Sequence, residues 1–163
     1  MDLQEFNAAP ADRLRPLLLA CCDVPRWVDA VLVGRPYGEE AALKQVADHA
    51  LRELDDGEVD RALAAHPRIG DRAQGAGTEA AWSRTEQSGV GDDPELRAAL
   101  AEGNRQYEQR FDRVFLICAT GLSAAEMLAG LQARLTHDDA TEAAVVREEL
   151  RKIAGLRLGK VLS

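Results

Sequence analysis

A chain of 163 residues with 46% hydrophobic and 29% charged side chains suits one domain, residues 1–163, and excludes a disordered chain. Its formal net charge of −8 leaves no strongly basic face to neutralise phosphates, which argues against nucleic acid as a partner. At this length a chain buries roughly 70% of the surface it exposes unfolded, so neither a disulfide nor a metal is needed to hold the core.

Aromatic residues are only 4% of the chain, while Ala, Leu, Glu and Arg abound, a mixture that favours helices. Pro10-Ala11-Asp12 opens a first helix with Leu14, Leu17 and Leu18 on one face, and Pro16 inside it predicts a kink or a late start. Pro25 fits the first turn of a second helix, with Trp27, Val28, Val31 and Leu32 apolar. Arg35-Pro36-Tyr37-Gly38 is a turn. Residues 39–54 form a third helix, which Asp55-Asp56-Gly57 ends. A short helix from about Glu58 to Ala65 must stop where Pro67 disfavours helical backbone at His66. Residues 68–77 are loop-like. Thr78 caps a helix that runs to about Ser88, where Gly89 closes it. Asp93-Pro94-Glu95 starts a long helix bearing Leu96, Leu100, Asn104, Tyr107 and Phe111. Residues 114–119 are a short apolar run, and periodicity does not decide between a buried strand and a buried helical piece. Ser123-Ala124-Ala125-Glu126 is a capping box for a helix carrying Met127, Leu128, Leu131 and Leu135. A last helix runs from Asp139 or Thr141 towards the C-terminus, with Val145, Leu150, Ile153 and Leu156 on its buried face. The expected fold is an all-α bundle of seven to nine helices with little or no sheet.

Cys21, Cys22 and Cys118 lack metal-ligand spacing, so no metal site is expected and the thiols read as buried and reduced. No apolar run approaches a membrane span, and the acidic N-terminal residues lack the apolar core of a secretory signal. The chain is therefore expected in the cytoplasm, with no membrane partner.

Three histidines are available for proton chemistry. His49 and His137 read as surface residues. His66 ends a helix before a stiff Pro67, where a side chain can be aimed into a cleft, and imidazole titrates near neutral pH. The same position also suits a capping or core histidine. Ser83, Glu86 and Gln87 stand at i, i+3 and i+4 on the next helix, so one face offers a hydroxyl, a carboxylate and an amide. That face is either a platform for a polar ligand or a solvated surface. Asn104 and Tyr107 suit buried structural partners. Arg157, set between leucines, either snorkels to solvent or reaches into a pocket to bind an anion.

Taken in order, these segments resemble the 2-oxo-4-hydroxy-4-carboxy-5-ureidoimidazoline (OHCU) decarboxylase family. The resemblance runs through Phe6-Asn7, Cys21-Cys22, Trp27-Val28 and Arg35-Pro36-Tyr37. It is strongest at His66-Pro67-Arg68-Ile69-Gly70 and at residues 83–89, and it resumes at Asn104, Tyr107, residues 115–119 and residues 149–158. It implies decarboxylation of OHCU to (S)-allantoin and CO2 in urate degradation by a cofactor-free homodimer. Coupling to a 5-hydroxyisourate hydrolase is part of that expectation. It implies His66 as general acid/base assisted by Glu86, with Pro67, Ser83, Gln87, Phe115, Leu116, Ile117, Cys118, Ala119 and Arg157 lining the substrate site. A catalytically silent ligand-binding or interaction module on the same scaffold is the alternative. One departure stands out. The family usually has Phe-Gly-Phe where this chain has Phe111-Asp112-Arg113, which alters the turn entering residues 115–119 or places a charge near the dimer surface.

Overall fold

Helix follows helix: among the described residues the backbone forms nine α-helices and a single 3-10 turn, with no strand. The computed structural model describes residues 1–71 and 73–163. Arg72, within the expected loop 68–77, lies outside the described residues. The all-α expectation of seven to nine helices is met.

The chain divides into two compact units, residues 1–62 with 151–163, and residues 63–150. In the first unit, α1 (Leu3–Ala8) precedes the helices expected from sequence. Six residues are too few to show a helical period, but Asp2 and Glu5 form a reciprocal capping box that starts it. Next come α2 (Ala11–Cys21), α3 (Pro25–Val33), α4 (Glu40–Arg52) and α5 (Asp56–Ala64). Pro16 leaves α2 unbroken, because it sits on the exposed side, where loss of one backbone bond is tolerated. The Asn7 amide donates to the Tyr37 carbonyl and accepts from the Tyr37 N–H, both at 2.9 Å. Arg35 donates to the Phe6 and Ala9 carbonyls. The turn 35–37 is thereby tied to α1. Trp27 is buried and donates its indole N–H to the Ala47 carbonyl at 3.0 Å, joining α3 to α4.

The second unit holds α6 (Thr78–Glu86), the 3-10 turn (Ser88–Val90), α7 (Pro94–Phe111), α8 (Ala124–Arg134) and the first half of α9 (Asp139–Val161). Two start signals act as read: Asp93 accepts from the N–H groups of Glu95 and Leu96, and Ser123 with Glu126 caps α8, whereas Thr78 is the first residue of α6 and Gly77, with no side chain to donate or accept, holds the cap position. Gly103 lets α7 lie close to α8, since a Cβ there would press on the Leu131 side chain at 2.7 Å. Ile69, Leu100, Tyr107, Phe115, Met127 and Leu131 share one buried apolar cluster.

Residues 114–119 are neither strand nor helix. The face of α9 and the end of α7 differ from the sequence expectation. On α9 the buried face carries Glu142, Val146, Glu149, Leu150, Ile153 and Arg157, whereas Val145 is half-buried and Leu156 is exposed. Leu150 and Ile153 are buried as expected, but charged residues share the inner face, so apolar spacing alone misplaced Val145 and Leu156. Asp112 adopts the left-handed conformation, φ 53° and ψ 39°, closing α7 with its N–H on the Glu108 carbonyl at 2.9 Å. That is the conformation a glycine takes at a helix C-terminus.

Candidate active site

The His66 loop begins where α5 ends. The His66 N–H donates to the Leu63 carbonyl at 3.0 Å, and Pro67 keeps the chain from continuing as helix. The His66 ring is half-buried, and its Nε2 is shielded from solvent. Four side chains from α6 and α7 hold residues 68–70. Arg68 forks onto Glu108, with Nη2 at 3.1 Å from Oε2. Asn104 Nδ2 donates to the Ile69 carbonyl at 2.8 Å. Arg97 Nη1 donates to the Gly70 carbonyl at 3.0 Å, and Gln87 Oε1 accepts from the Gly70 N–H at 3.0 Å. Gly70 itself has φ +93°, a backbone region that side chains other than glycine rarely adopt.

Gln87 stands at the C-terminus of α6, so the loop bearing His66 is fastened to the helix bearing Glu86. Ser83 is buried on that helix and donates to Glu79 Oε1 at 2.9 Å, while Glu86 is half-buried. Ser83, Gln87 and Gly70 line one cavity of about 310 Å³, whose cationic side comes from Arg84 and Arg97. After α6 the chain passes the Leu122 carbonyl so closely that any Cβ on Gly89 would collide with it. Only glycine fits there.

Residues 115–119 lie across α8 and α9. Phe115, Leu116 and Ala119 are buried, and Ile117 and Cys118 are half-buried. Phe115 and Ala119 share the apolar cluster of Ile69, so one core supports both this segment and the His66 loop. Buried polar groups must be paired, and here charged side chains pair the backbone. Arg134 Nη1 donates to the Leu116 carbonyl at 2.6 Å, and its guanidinium carbon stands 4.6 Å from the centre of the Phe115 ring. Arg134 Nε also donates to Glu142 Oε1 at 2.8 Å, where the Tyr107 hydroxyl donates at 2.5 Å. Glu149 Oε2 accepts from the Cys118 N–H at 2.7 Å. Burial alone would push the Glu142 carboxyl up, but hydrogen bonds from Arg134 and Tyr107 outweigh it and hold the pKa below the ordinary carboxylate value. Burial, then Glu142, pushes the Tyr107 hydroxyl well above its usual range.

Arg157 belongs to the first unit. It is 1% exposed and donates to the Ala20 carbonyl at 2.8 Å, which rules out snorkelling to solvent. Burial pushes the neighbouring Cys22 thiol up to about 12, so it stays protonated. His49 is exposed beside Glu53 as expected. His137 is not a plain surface residue, since its Nδ1 stands 3.0 Å from Glu142 Oε2. Arg134, Glu142 and Glu149 carry no mark in the sequence expectation. The available signal was the spacing of the two acids, seven apart on α9 and so on one helical face.

An OHCU decarboxylase family model matches residues 7–159. The chain is 31% identical over 136 residues to 2-oxo-4-hydroxy-4-carboxy-5-ureidoimidazoline decarboxylase of Amia calva, covering 82% of this chain and 78% of that protein. It is 29% identical over 147 residues to the uric acid degradation bifunctional protein TTL of Arabidopsis thaliana, covering 88% of this chain. It spans only 45% of that relative's length. A crystal structure of OHCU decarboxylase in the presence of (S)-allantoin superposes with a TM-score of 0.76 at 26% identity, covering 90% of this chain and 97% of that one. A crystal structure of (S)-allantoin synthase shares the fold, with a TM-score of 0.75 at 14% identity over 98% of this chain and 54% of that one.

Proposed function

The chain belongs to the OHCU decarboxylase family of carboxy-lyases, and from that premise we propose that it converts OHCU to (S)-allantoin and CO2, with His66 as general acid/base assisted by Glu86. The observation that carries the reading is the hydrogen bond from the Gly70 N–H to Gln87 Oε1, which fastens the loop of His66 to the helix of Glu86.

The substrate supplies its own electron sink. One ring carbon bears both a hydroxyl and a carboxylate beside a C=N bond. When the carbon–carboxylate bond breaks, its electron pair flows into the C=N, so no cofactor is called for. The hydroxyl then gives up its proton to become the product carbonyl, while the nitrogen of the former C=N and the neighbouring carbon each receive one. His66 and Glu86 are the groups suited to that exchange. Ser83, Gln87, Pro67 and the backbone of residues 115–119 suit the polar edges of the ring and ureido group, and Arg157 suits a carboxylate. Delivery of the proton to one face would give the (S) product. The same reading takes the working form as a cytoplasmic homodimer functionally coupled to a 5-hydroxyisourate hydrolase. The bifunctional name of the Arabidopsis relative supports the coupling.

Circular dichroism tests the reading. Urate is supplied with an oxidase and a hydrolase, and optically active allantoin is followed with and without this protein. Wild type is expected to speed its appearance. His66→Ala is expected to fold and to lose at least about 100-fold, the scale of a general acid–base group, with Glu86→Gln also slowed. An unchanged racemic signal from wild type identifies a silent scaffold, and near-normal turnover by His66→Ala removes His66 from the chemistry.

A further inference from the structure

We infer that Arg134 and Glu149 are positioning residues that aim the peptide groups of Ile117 at the substrate, an inference that rests on the decarboxylase reading. A trans peptide unit is planar, and its C=O and N–H point in opposite directions. Every peptide in residues 114–119 is trans. The Leu116 carbonyl is held by Arg134 Nη1 at 2.6 Å, so the Ile117 N–H in the same peptide unit points away from Arg134. The Cys118 N–H is held by Glu149 Oε2 at 2.7 Å, so the Ile117 carbonyl in the next unit points away from Glu149. Among the described residues no hydrogen bond takes up the Ile117 N–H or carbonyl.

The result is a donor and an acceptor on one residue, each belonging to a peptide unit whose other end is locked by a buried side chain. The substrate ring and ureido group offer the complementary acceptors and donors. The locks are rigid because they are buried. Arg134 is 6% exposed and Glu149 9%, and Arg134 is fixed in turn by Glu142, which is 1% exposed. The Phe115 ring under the Arg134 guanidinium adds a cation–π contact that orients the fork. A helix or a strand pairs its own backbone groups. This segment is neither, and two helices supply the pairing through side chains, which leaves the Ile117 groups unspent.

Steady-state kinetics on folded protein, alongside circular dichroism of the fold, test the role. Glu149→Leu removes the acceptor for the Cys118 N–H and is expected to lower kcat/KM by about tenfold or more, since displacing a substrate-positioning group by 1 Å can cost about 100-fold. Glu149→Gln keeps an oxygen that can accept from Cys118 and is expected to stay within about threefold of wild type, because a neutral acceptor replaces a charged one. Arg134→Lys retains the charge facing Glu142 but loses the fork that also reaches Leu116, and its KM is expected to rise about tenfold. A merely structural role would lower the melting temperature and leave kcat and KM of the folded fraction unchanged. Folded Glu149→Leu with wild-type kcat and KM overturns the inference. If Glu149→Leu does not fold, a wild-type KM in Arg134→Lys overturns it, as does a loss in Glu149→Gln as large as that in Arg134→Lys. Wild type that produces no excess (S)-allantoin overturns the decarboxylase reading instead, so the two failures are distinct.

Discussion

The His66 loop and the segment 115–119 are both irregular backbone resting on one apolar core, yet they are held in different ways. The loop is fastened by several separate side chains, and its ion pair is open to water, with Arg68 and Glu108 side chains 52% and 28% exposed. The segment is fastened by buried charge, with Arg134 bound to a Glu142 side chain that is 1% exposed. Partly exposed hydrogen bonds and ion pairs each contribute about 1 kcal/mol and fail one at a time. A buried ion pair behaves as a unit, because removal of one partner strands the other in a low dielectric. The loop that carries the proposed acid/base is thus adjustable, whereas the proposed substrate backbone is set.

The sharpest way to break this contrast is Glu142→Gln, which leaves the Arg134 guanidinium buried without a counter-charge. It is expected to cost about 3–5 kcal/mol, the range for one partner lost from a buried pair, measured by urea denaturation at pH 7. The Glu142 pKa is held below its ordinary 4.5, so its contribution is complete above that value and is lost as pH falls through the folded-state pKa. The groups facing it are Arg134, Tyr107 and His137. Tyr107, whose hydroxyl is pushed well above its usual range, does not titrate in that window. The gap between wild type and Glu142→Gln is therefore expected to narrow from pH 7 towards pH 3. A gap that is constant with pH breaks the assignment.

The loop should respond more weakly. Asn104→Ala leaves the Ile69 carbonyl without its donor, a loss of about 1–3 kcal/mol. The Asn104 Oδ1 has no hydrogen-bond partner among the described residues, so deleting it gives some relief and favours the low end. Gln87→Ala is expected to cost about 1 kcal/mol by exposing the Gly70 N–H. Because both are neutral amides, the two differences from wild type should be the same at pH 7 and pH 4. A pH-dependent difference at either position would show that the loop, too, is held by charge.

The helices and their starts at Pro25, Asp93 and Ser123 were legible because caps, prolines and helical spacing are local. The anchors of residues 115–119 were not. Leu116 and Arg134 are 18 residues apart, and Cys118 and Glu149 are 31 apart, so nothing local marks the pairing. Their acids also sit on the inner face of α9, where apolar spacing is the guide and Glu142 and Glu149 contradict it. For Arg157 the sequence left two orientations open, and only burial removed the solvent-facing one.

The smallest expected effect separates the turn entering residues 115–119 from the anchors that hold it. Asp112 occupies the left-handed region at φ 53°, where a side chain costs about 1–2 kcal/mol and Asp is among the better tolerated residues. Asp112→Gly relieves that cost against the greater freedom of glycine in the unfolded chain, for a net gain of about 0.5–1 kcal/mol. The melting temperature should rise by about 1–4 °C, as expected for a gain of that size in a chain of this length. If the segment is set by Arg134 and Glu149, easing the turn before it leaves kcat and KM unchanged, whereas Glu149→Leu alters them. Kinetics that shift in Asp112→Gly would place control of the Ile117 peptide groups in the turn, because that substitution touches neither anchor.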